Sequence, residues 1–184
     1  MFHSNTELLI DYWQARKGSR GAPARASIDP ADLRAVLPQL FIIGRRRAGQ
    51  YGFRLVGGMV DALHGGHLGG ADPMRLWAPQ YRASLQLAFE AIRRQPEPLV
   101  ITAEGRTLDG NALTLEIVLA PLTGAAGDID RFIGLYQPIT PAKDMLGHPI
   151  ETLIIRAIAP GGAADPFPRL KLAAVDGRRV AQPL

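Results

Sequence analysis

The chain contains no cysteine. Disulfide bridges, thiol catalysis and thiolate metal sites are therefore excluded together. Long hydrophobic runs are also missing, since none approaches the roughly 20 residues that a helix needs to cross a bilayer. The N-terminus has no basic stretch followed by an apolar one, so it does not resemble a signal peptide. These absences predict a cytoplasmic protein without a membrane partner.

Charge is close to balanced, with 21 Lys and Arg against 17 Asp and Glu and a net charge of +4. A length of 184 residues and a hydrophobic content of 47% are typical of one soluble globular domain with extensions. The pI of about 9.8 raises nucleic-acid binding as an alternative function. The one dense basic cluster, Arg45–Arg47, has no interleaved aromatics. We interpret it as a solvated hairpin tip, with a phosphate or partner patch as the alternative.

Two helices are predicted before the first strand. Ser4 and Glu7 have the spacing of a capping box, and an apolar stripe at helical spacing follows them. Asp29 and Pro30 then provide a cap and a first-turn proline for a second helix. The stripe of the first helix consists of Leu8, Leu9, Tyr12 and Trp13.

The centre of the chain is the stretch Tyr51–Gly70. In its first part Tyr51, Phe53 and Leu55 alternate with Gly52, Arg54 and Val56, the period of a strand with two unlike faces. Glycines then bound a short helical segment near Met59–Leu63. A longer helix is predicted over Pro79–Arg94, with an apolar stripe that includes Tyr81, Leu85 and Phe89.

Three strands follow, over Leu99–Arg106, Ala112–Leu119 and Arg131–Ile139, the first two joined at Asp109-Gly110. Runs of strands without regular β-α-β alternation predict an α+β fold. We expect a five-stranded antiparallel sheet with helices on one face and an N-terminal helical extension. The predicted boundaries are 1–39 for that extension, 40–140 for the core and 141–184 for a C-terminal extension. Thr152–Ile158 is a further candidate strand.

This order of elements resembles a PAS domain. The motifs resemble a bacterial single-domain branch of that superfamily: Tyr12-Trp13, an Asp29-Pro30 helix ending at Leu37-Pro38, the strand end Phe53–Gly57 and the segment Gly65–Gly70. One departure is Gly69, where that branch carries a threonine. The resemblance covers about residues 5–140. It implies a sensory or interaction module in which a sheet and helices enclose a small cavity.

Several known PAS chemistries do not fit these residues. Flavin and coumarate photosensors of the family use a cysteine, which this chain lacks. Haem-bearing members use a histidine on the long helix, and Pro79–Arg94 contains none. We interpret His64 and His67 as turn or surface residues rather than metal ligands. No cofactor, metal or catalytic residue is predicted, because no nucleophile–base pair or phosphate loop is present.

The resemblance implies two sets of site residues. One would line a ligand cavity, with ordinary core packing as the alternative: Trp77, Tyr81, Leu85, Phe89, Leu115 and Tyr136. The other would form a dimer interface: Leu8, Leu9, Tyr12 and Trp13. The alternative for this second set is a helix that folds back on its own sheet in a monomer.

Three classes of function remain. The favoured class is a non-catalytic regulator that acts through a homodimer and an unidentified signalling protein, with or without a small apolar ligand. The alternatives are a small-ligand enzyme on a similar curved sheet and a weakly basic nucleic-acid-binding protein, which the scattered arginines do not favour.

Overall fold

The computed structural model describes residues 1–19, 21–145 and 147–162. Six strands form one sheet: β1 (Leu40–Arg47), β2 (Gln50–Val56), β3 (Leu99–Arg106), β4 (Ala112–Thr123), β5 (Ile129–Pro138) and β6 (Thr152–Pro160). Their order is β2-β1-β5-β4-β3-β6, and every neighbouring pair is antiparallel. The predicted α+β class with an antiparallel sheet is confirmed. The described residues form six strands rather than five, because the candidate strand after residue 150 pairs with β3.

Within the described ranges three α-helices accompany the sheet: α1 (Ser4–Arg16), α2 (Gly58–Leu63) and α3 (Pro79–Arg94). α3 has the predicted bounds, with Pro79 in the first turn, where no backbone donor is needed. α1 begins one residue earlier than the capping-box prediction required. Its cap is His3, whose ring nitrogen accepts a hydrogen bond from the Asn5 N–H. Asp29 caps as predicted, but the element that follows is a short 3-10 turn, Pro30–Leu33.

The β1–β2 hairpin differs from its prediction in two places. Arg45–Arg47 is the last part of strand β1 rather than the tip, and the turn is made by Ala48 and Gly49, which has φ +70°. In the register, Ile42 is opposite Leu55 and Ile43 is opposite Phe53, so Arg54 is an extra residue in a β-bulge. The bulge shifts the alternation of side chains between the two faces of the strand by one residue. Leu55 is therefore 46% exposed instead of sharing the buried face of Phe53.

The two faces of the sheet are covered by different parts of the chain. α3 lies on one face, where Phe89 packs edge-to-face against Phe132 of β5 at 4.8 Å between ring centroids. The N-terminal region lies on the other face, where Asn5 donates to Gln137 and the His3 N–H donates to Glu116. Both sides of the sheet are thus occupied within one chain.

Candidate functional site

An enclosed apolar cavity lies between the sheet and α3. Its volume is about 20 Å³, which is room for about one water molecule. β1, β2, β4 and β5 supply one wall, while α3 and the turn Pro73–Leu76 supply the other. The lining residues are Phe41, Ile43, Phe53, Pro73, Leu76, Trp77, Leu85, Phe89, Ile117, Leu119 and Tyr136.

The structure brings together four of the six residues that the sequence predicted for a cavity: Trp77, Leu85, Phe89 and Tyr136. Tyr81, in the first turn of α3, is half-buried and lies outside the lining. Leu115 is fully buried, but it is opposite Pro138, two residues along β4 from the cavity residue Ile117.

Sequence reasoning missed the contributions of β1, β2 and the Pro73–Leu76 turn. Strand alternation contained part of the signal, because Phe41 and Ile43 are two residues apart and so share a face. The pairing of Ile117 with Tyr136 requires the β4–β5 register, which is a long-range property of the sheet. In the same way, the lining residues of β1 can be identified only once the pairing of β1 with β5 is known.

A close approach of Phe41 to a glycine shapes the cavity wall. Phe41 is opposite Gly134 in the β1–β5 register, and its ring covers the space that a Cβ on Gly134 would occupy. The same ring packs edge-to-face against Phe53 and Tyr136, at 5.8 and 5.6 Å between centroids. Gly134 thus leaves the space that the Phe41 ring needs in order to pack against the two other aromatic rings.

The cavity wall contains two polar side chains, Trp77 and Tyr136. None of the hydrogen bonds among the described residues involves the Trp77 indole N–H or the Tyr136 hydroxyl. Burial raises the pKa of Tyr136, so its hydroxyl stays protonated at neutral pH. A small ligand in this space would meet an apolar surface with an indole and a phenol as its only side-chain donors.

His64 lies beside this wall, at the C-terminal end of α2. Its Nδ1 is 3.0 Å from the carbonyl oxygen of Ile150, which can only accept, so Nδ1 carries the proton. Its Nε2 is buried and has no hydrogen-bond partner among the described residues. The ring packs edge-to-face against Tyr136 at 5.8 Å. Burial lowers the pKa of His64, and the hydrogen bond to Ile150 and the charge of Asp61 offset this only in part.

We expect the stability of the protein to fall in acid partly because of His64. Below a pH of about 6.5 the unfolded chain protonates this histidine. The folded chain resists protonation until its lowered pKa is reached, so the free energy of unfolding decreases as the pH falls through that window. Urea unfolding of the wild type and His64→Gln between pH 8 and 5 measures the effect, and the variant should show a shallower slope.

The matched control for this experiment is His67→Gln. His67 is 79% exposed on its side chain and its Nδ1 is 3.1 Å from a carboxylate oxygen of Asp61. That variant should keep the slope of the wild type. Equal slopes for the wild type and His64→Gln would show that His64 does not resist protonation.

The structure separates the two histidines that the sequence considered as metal ligands. His64 points its Nδ1 to a backbone carbonyl, whereas His67 lies on the surface beside Asp61. Across residues 1–19, 21–145 and 147–162 no group of three or more histidine or acidic side chains is arranged to hold a metal ion. Arg54 lies outside the cavity, with its side chain against Gly44 on the face opposite Phe53.

The residues predicted for a dimer interface lie mostly inside the protomer. Leu9 and Trp13 are fully buried, and Tyr12 is nearly so. The Trp13 indole N–H donates to the carbonyl oxygen of Pro121 on β4, at 2.6 Å. The helix therefore folds back on its own sheet, which was the alternative interpretation of its stripe. Leu8 is the member of the set that stays on the surface, at 38% exposure.

A family model described as "PAS domain" matches residues 1–137 of the chain. The chain belongs to the PAS domain family. The match includes α1, the cavity walls and nearly all of β5. The membership predicted from the sequence motifs is thus confirmed.

Solved structures similar to this PAS protein include several light-oxygen-voltage (LOV) proteins. An RNA-binding LOV receptor is 19% identical, with a TM-score of 0.46 over 64% of this chain and 36% of its own. The LOV domain of the photoreceptor Aureochrome1 in its dark state is 13% identical, with a TM-score of 0.46 over 62% of this chain and 83% of its own. A LOV protein of Rhodobacter sphaeroides is 12% identical, with a TM-score of 0.45 over 65% of this chain and 73% of its own.

These three TM-scores stay below 0.5, so membership in the family rests on the family model. This chain spans about a third of the RNA-binding receptor. No curated protein matches the sequence. None of the helices in the described ranges is both long and apolar enough to cross a bilayer.

Proposed function

We propose that this PAS protein is a non-catalytic sensory or regulatory module of the bacterial cytoplasm. It acts through contact with other proteins, as a homodimer and with a signalling partner, and a small apolar ligand in the enclosed cavity changes its state. The observation that carries this proposal is the cavity itself. Apolar side chains from the sheet and α3 enclose it, and Trp77 and Tyr136 are its two polar groups.

The composition of the lining supports binding rather than catalysis. None of the described residues that line the cavity is a histidine, an acid or an amine. General acid–base catalysis needs such a group within hydrogen-bond reach of the reacting atom. The phenol of Tyr136 has a raised pKa and is a poor base at neutral pH. The enzyme alternative therefore has no candidate group in this cavity.

The placement of the arginine cluster does not favour nucleic-acid binding. Arg45 lies on the α3 side of the hairpin, where it borders Tyr51 and Glu90. Arg46 lies against Gly52, on the opposite face. The consecutive arginines thus point to different sides and do not form the single basic surface that a phosphate backbone requires.

The size of the cavity limits the ligand that it holds in this conformation. A volume of about 20 Å³ accommodates about one water-sized group, whereas sites for larger ligands have about 300–1,000 Å³. Either the ligand is very small or the wall opens to admit it. The turn Pro73–Leu76, Trp77 and the middle of α3, at Leu85 and Phe89, form the part of the wall that is not held in the sheet.

Xenon tests whether the wall opens, because atoms of this gas enter dry apolar cavities of about 150 Å³, larger than the space in this conformation. We expect saturable changes in ¹H–¹⁵N chemical shifts under xenon pressure at Trp77, Leu85, Phe89 and Tyr136. The filled variant Leu119→Phe should lose these changes, whereas Leu108→Phe, at an exposed loop position, should keep them. Changes that persist in a folded Leu119→Phe protein, or that map elsewhere, would show that the cavity is not the binding site.

A further inference from the structure

A second concave region lies between the β1–β2 hairpin and one face of α3. It has a volume of about 470 Å³, in the range of about 300–1,000 Å³ that small-molecule sites occupy. α3 contributes Ala83, Gln86, Leu87 and Glu90, whose spacing of three, four and seven residues from Ala83 places them on one helical face. Arg45 and Tyr51 line the region from the hairpin. We call it the hairpin groove.

The one carboxylate of the hairpin groove is already compensated. One oxygen of Glu90 accepts a hydrogen bond from the Tyr51 hydroxyl at 3.1 Å, and the other accepts from Arg93 at 2.8 Å. Arg93 is fixed in place by a second bond, from its Nε to the carbonyl oxygen of Ile129 at 2.9 Å. A partly buried acid held in this way by a neighbouring guanidinium contributes little net charge to the groove.

Arg45 has no such compensation. Among the described residues, no hydrogen bond or ion pair involves its guanidinium, and its Nε is buried without a partner. Tyr51 cannot balance the charge, because burial and the bond to Glu90 raise its pKa to about 12 and keep the phenol neutral. A half-buried cation without a counter-charge is unfavourable, so the hairpin groove favours an anion.

The rest of the lining is mostly apolar, apart from Gln86, whose side-chain amide donates to the Gly49 carbonyl oxygen at 3.4 Å. Leu87 is 72% exposed on the surface of α3, one turn after Ala83. Ala48 lies across the groove, in the hairpin turn. An isolated exposed leucine is ordinary on a protein surface. Here it stands beside an uncompensated arginine in a region large enough for a ligand, and both features point to the same class of molecule.

We propose that the hairpin groove binds a small monocarboxylic acid with a short apolar chain. The guanidinium of Arg45 holds the carboxylate, as planar forked donors do, and Leu87 and Ala83 contact the chain. This site is separate from the enclosed cavity and the inference goes beyond the proposed function. The two are neighbours, however, since the ring of Tyr51 packs at 4.7 Å from that of the cavity residue Phe89.

Titration with hexanoate, followed by ¹H–¹⁵N chemical shifts of the full chain, tests the proposal. We expect saturable shifts that cluster at Arg45, Gly49, Tyr51 and Leu87. Hexanamide has the same shape without the charge and should bind at least about tenfold more weakly, because the charged partner of Arg45 is lost. Equal binding of hexanoate and hexanamide would overturn the role of Arg45.

Two arginine variants provide the matched comparison. Arg45→Gln should raise the dissociation constant of hexanoate at least about tenfold. Arg47→Gln removes the same charge two residues away, at an exposed position outside the lining, and should leave the constant within about twofold. Similar losses of hexanoate affinity in both variants would show that binding depends only on the general positive charge of the hairpin. That result would overturn the proposed site.

Two further outcomes distinguish the parts of the proposal. Leu87→Ser should weaken hexanoate but leave any binding of acetate unchanged, since acetate lacks the chain. Inorganic phosphate that binds as tightly as hexanoate and shifts the same residues would overturn the need for an apolar chain. Because xenon reports on the enclosed cavity and hexanoate on the hairpin groove, either proposal can fail while the other stands.

Discussion

Replacement of Trp13 by alanine is expected to lower the free energy of unfolding by about 3–5 kcal/mol, the usual range for a fully buried tryptophan. Trp13 is fully buried between α1 and the sheet. Its removal leaves a cavity and takes away the donor that bonds the Pro121 carbonyl at 2.6 Å. Urea unfolding followed by far-UV circular dichroism measures the loss.

The control on the same helix is Leu8→Ala. Leu8 is 38% exposed, so its truncation should cost about 0.5 kcal/mol or less. Trp13→Phe removes the N–H together with the five-membered ring, so it should cost less than Trp13→Ala while still losing the hydrogen bond. Analytical ultracentrifugation at tens of micromolar protein then tests whether this helix forms a dimer interface, the role predicted from the sequence. A wild-type dimer that Trp13→Ala dissociates without loss of stability would show that the indole serves an interface between copies.

The local elements of this PAS domain were accessible from sequence because their signals are local. Pro79 and the arginines at 93 and 94 mark the ends of α3 on either side of a 3.6-residue stripe. Asp109-Gly110 is a strong hairpin signal between two alternating runs, and β3 and β4 pair about it as predicted. The class of fold followed from the order of these elements.

The bulge at Arg54 was not accessible in the same way. The sequence alternates without interruption from Tyr51 to Val56, and nothing in it shows that one residue is left out of the pairing with β1. A bulge is a property of two strands in register, so a single strand does not encode it. The same limitation hid the cavity contributions of β1 and β2.

The face of α1 illustrates a different limit. The stripe of Leu9, Tyr12 and Trp13 establishes that one side of the helix is buried, but a stripe does not say against which surface. Burial against the sheet of the same chain and burial against a second copy of the protein produce the same pattern of apolar residues in the sequence. The structure decides between them through the contacts of Asn5 with Gln137 and of Trp13 with Pro121.

The second large effect is expected at Gly134. A Cβ built at this position would lie 2.0 Å from the Phe41 ring, far inside the closest approach of real atoms. The ring cannot move freely, because Phe53 and Tyr136 flank it and the cavity beside it holds only about one water. Gly134→Ala should therefore lower the free energy of unfolding by about 1–3 kcal/mol or more. This loss outweighs the backbone entropy that alanine normally saves relative to glycine in a strand, about 0.5–1 kcal/mol.

Two comparisons identify the cause of that loss. Gly66→Ala adds a methyl group at a position with no atom within 4 Å of the new Cβ, and should change stability by no more than about 0.5 kcal/mol. In a Phe41→Leu background the smaller side chain leaves room, so Gly134→Ala should cost less there than in the wild type, with a coupling of about 0.5–3 kcal/mol. An equal cost in both backgrounds would mean that the methyl group meets something other than the Phe41 ring. The ring would then not depend on the glycine, and the wall of the cavity would have to be held in place by its contacts with Phe53 and Tyr136 alone.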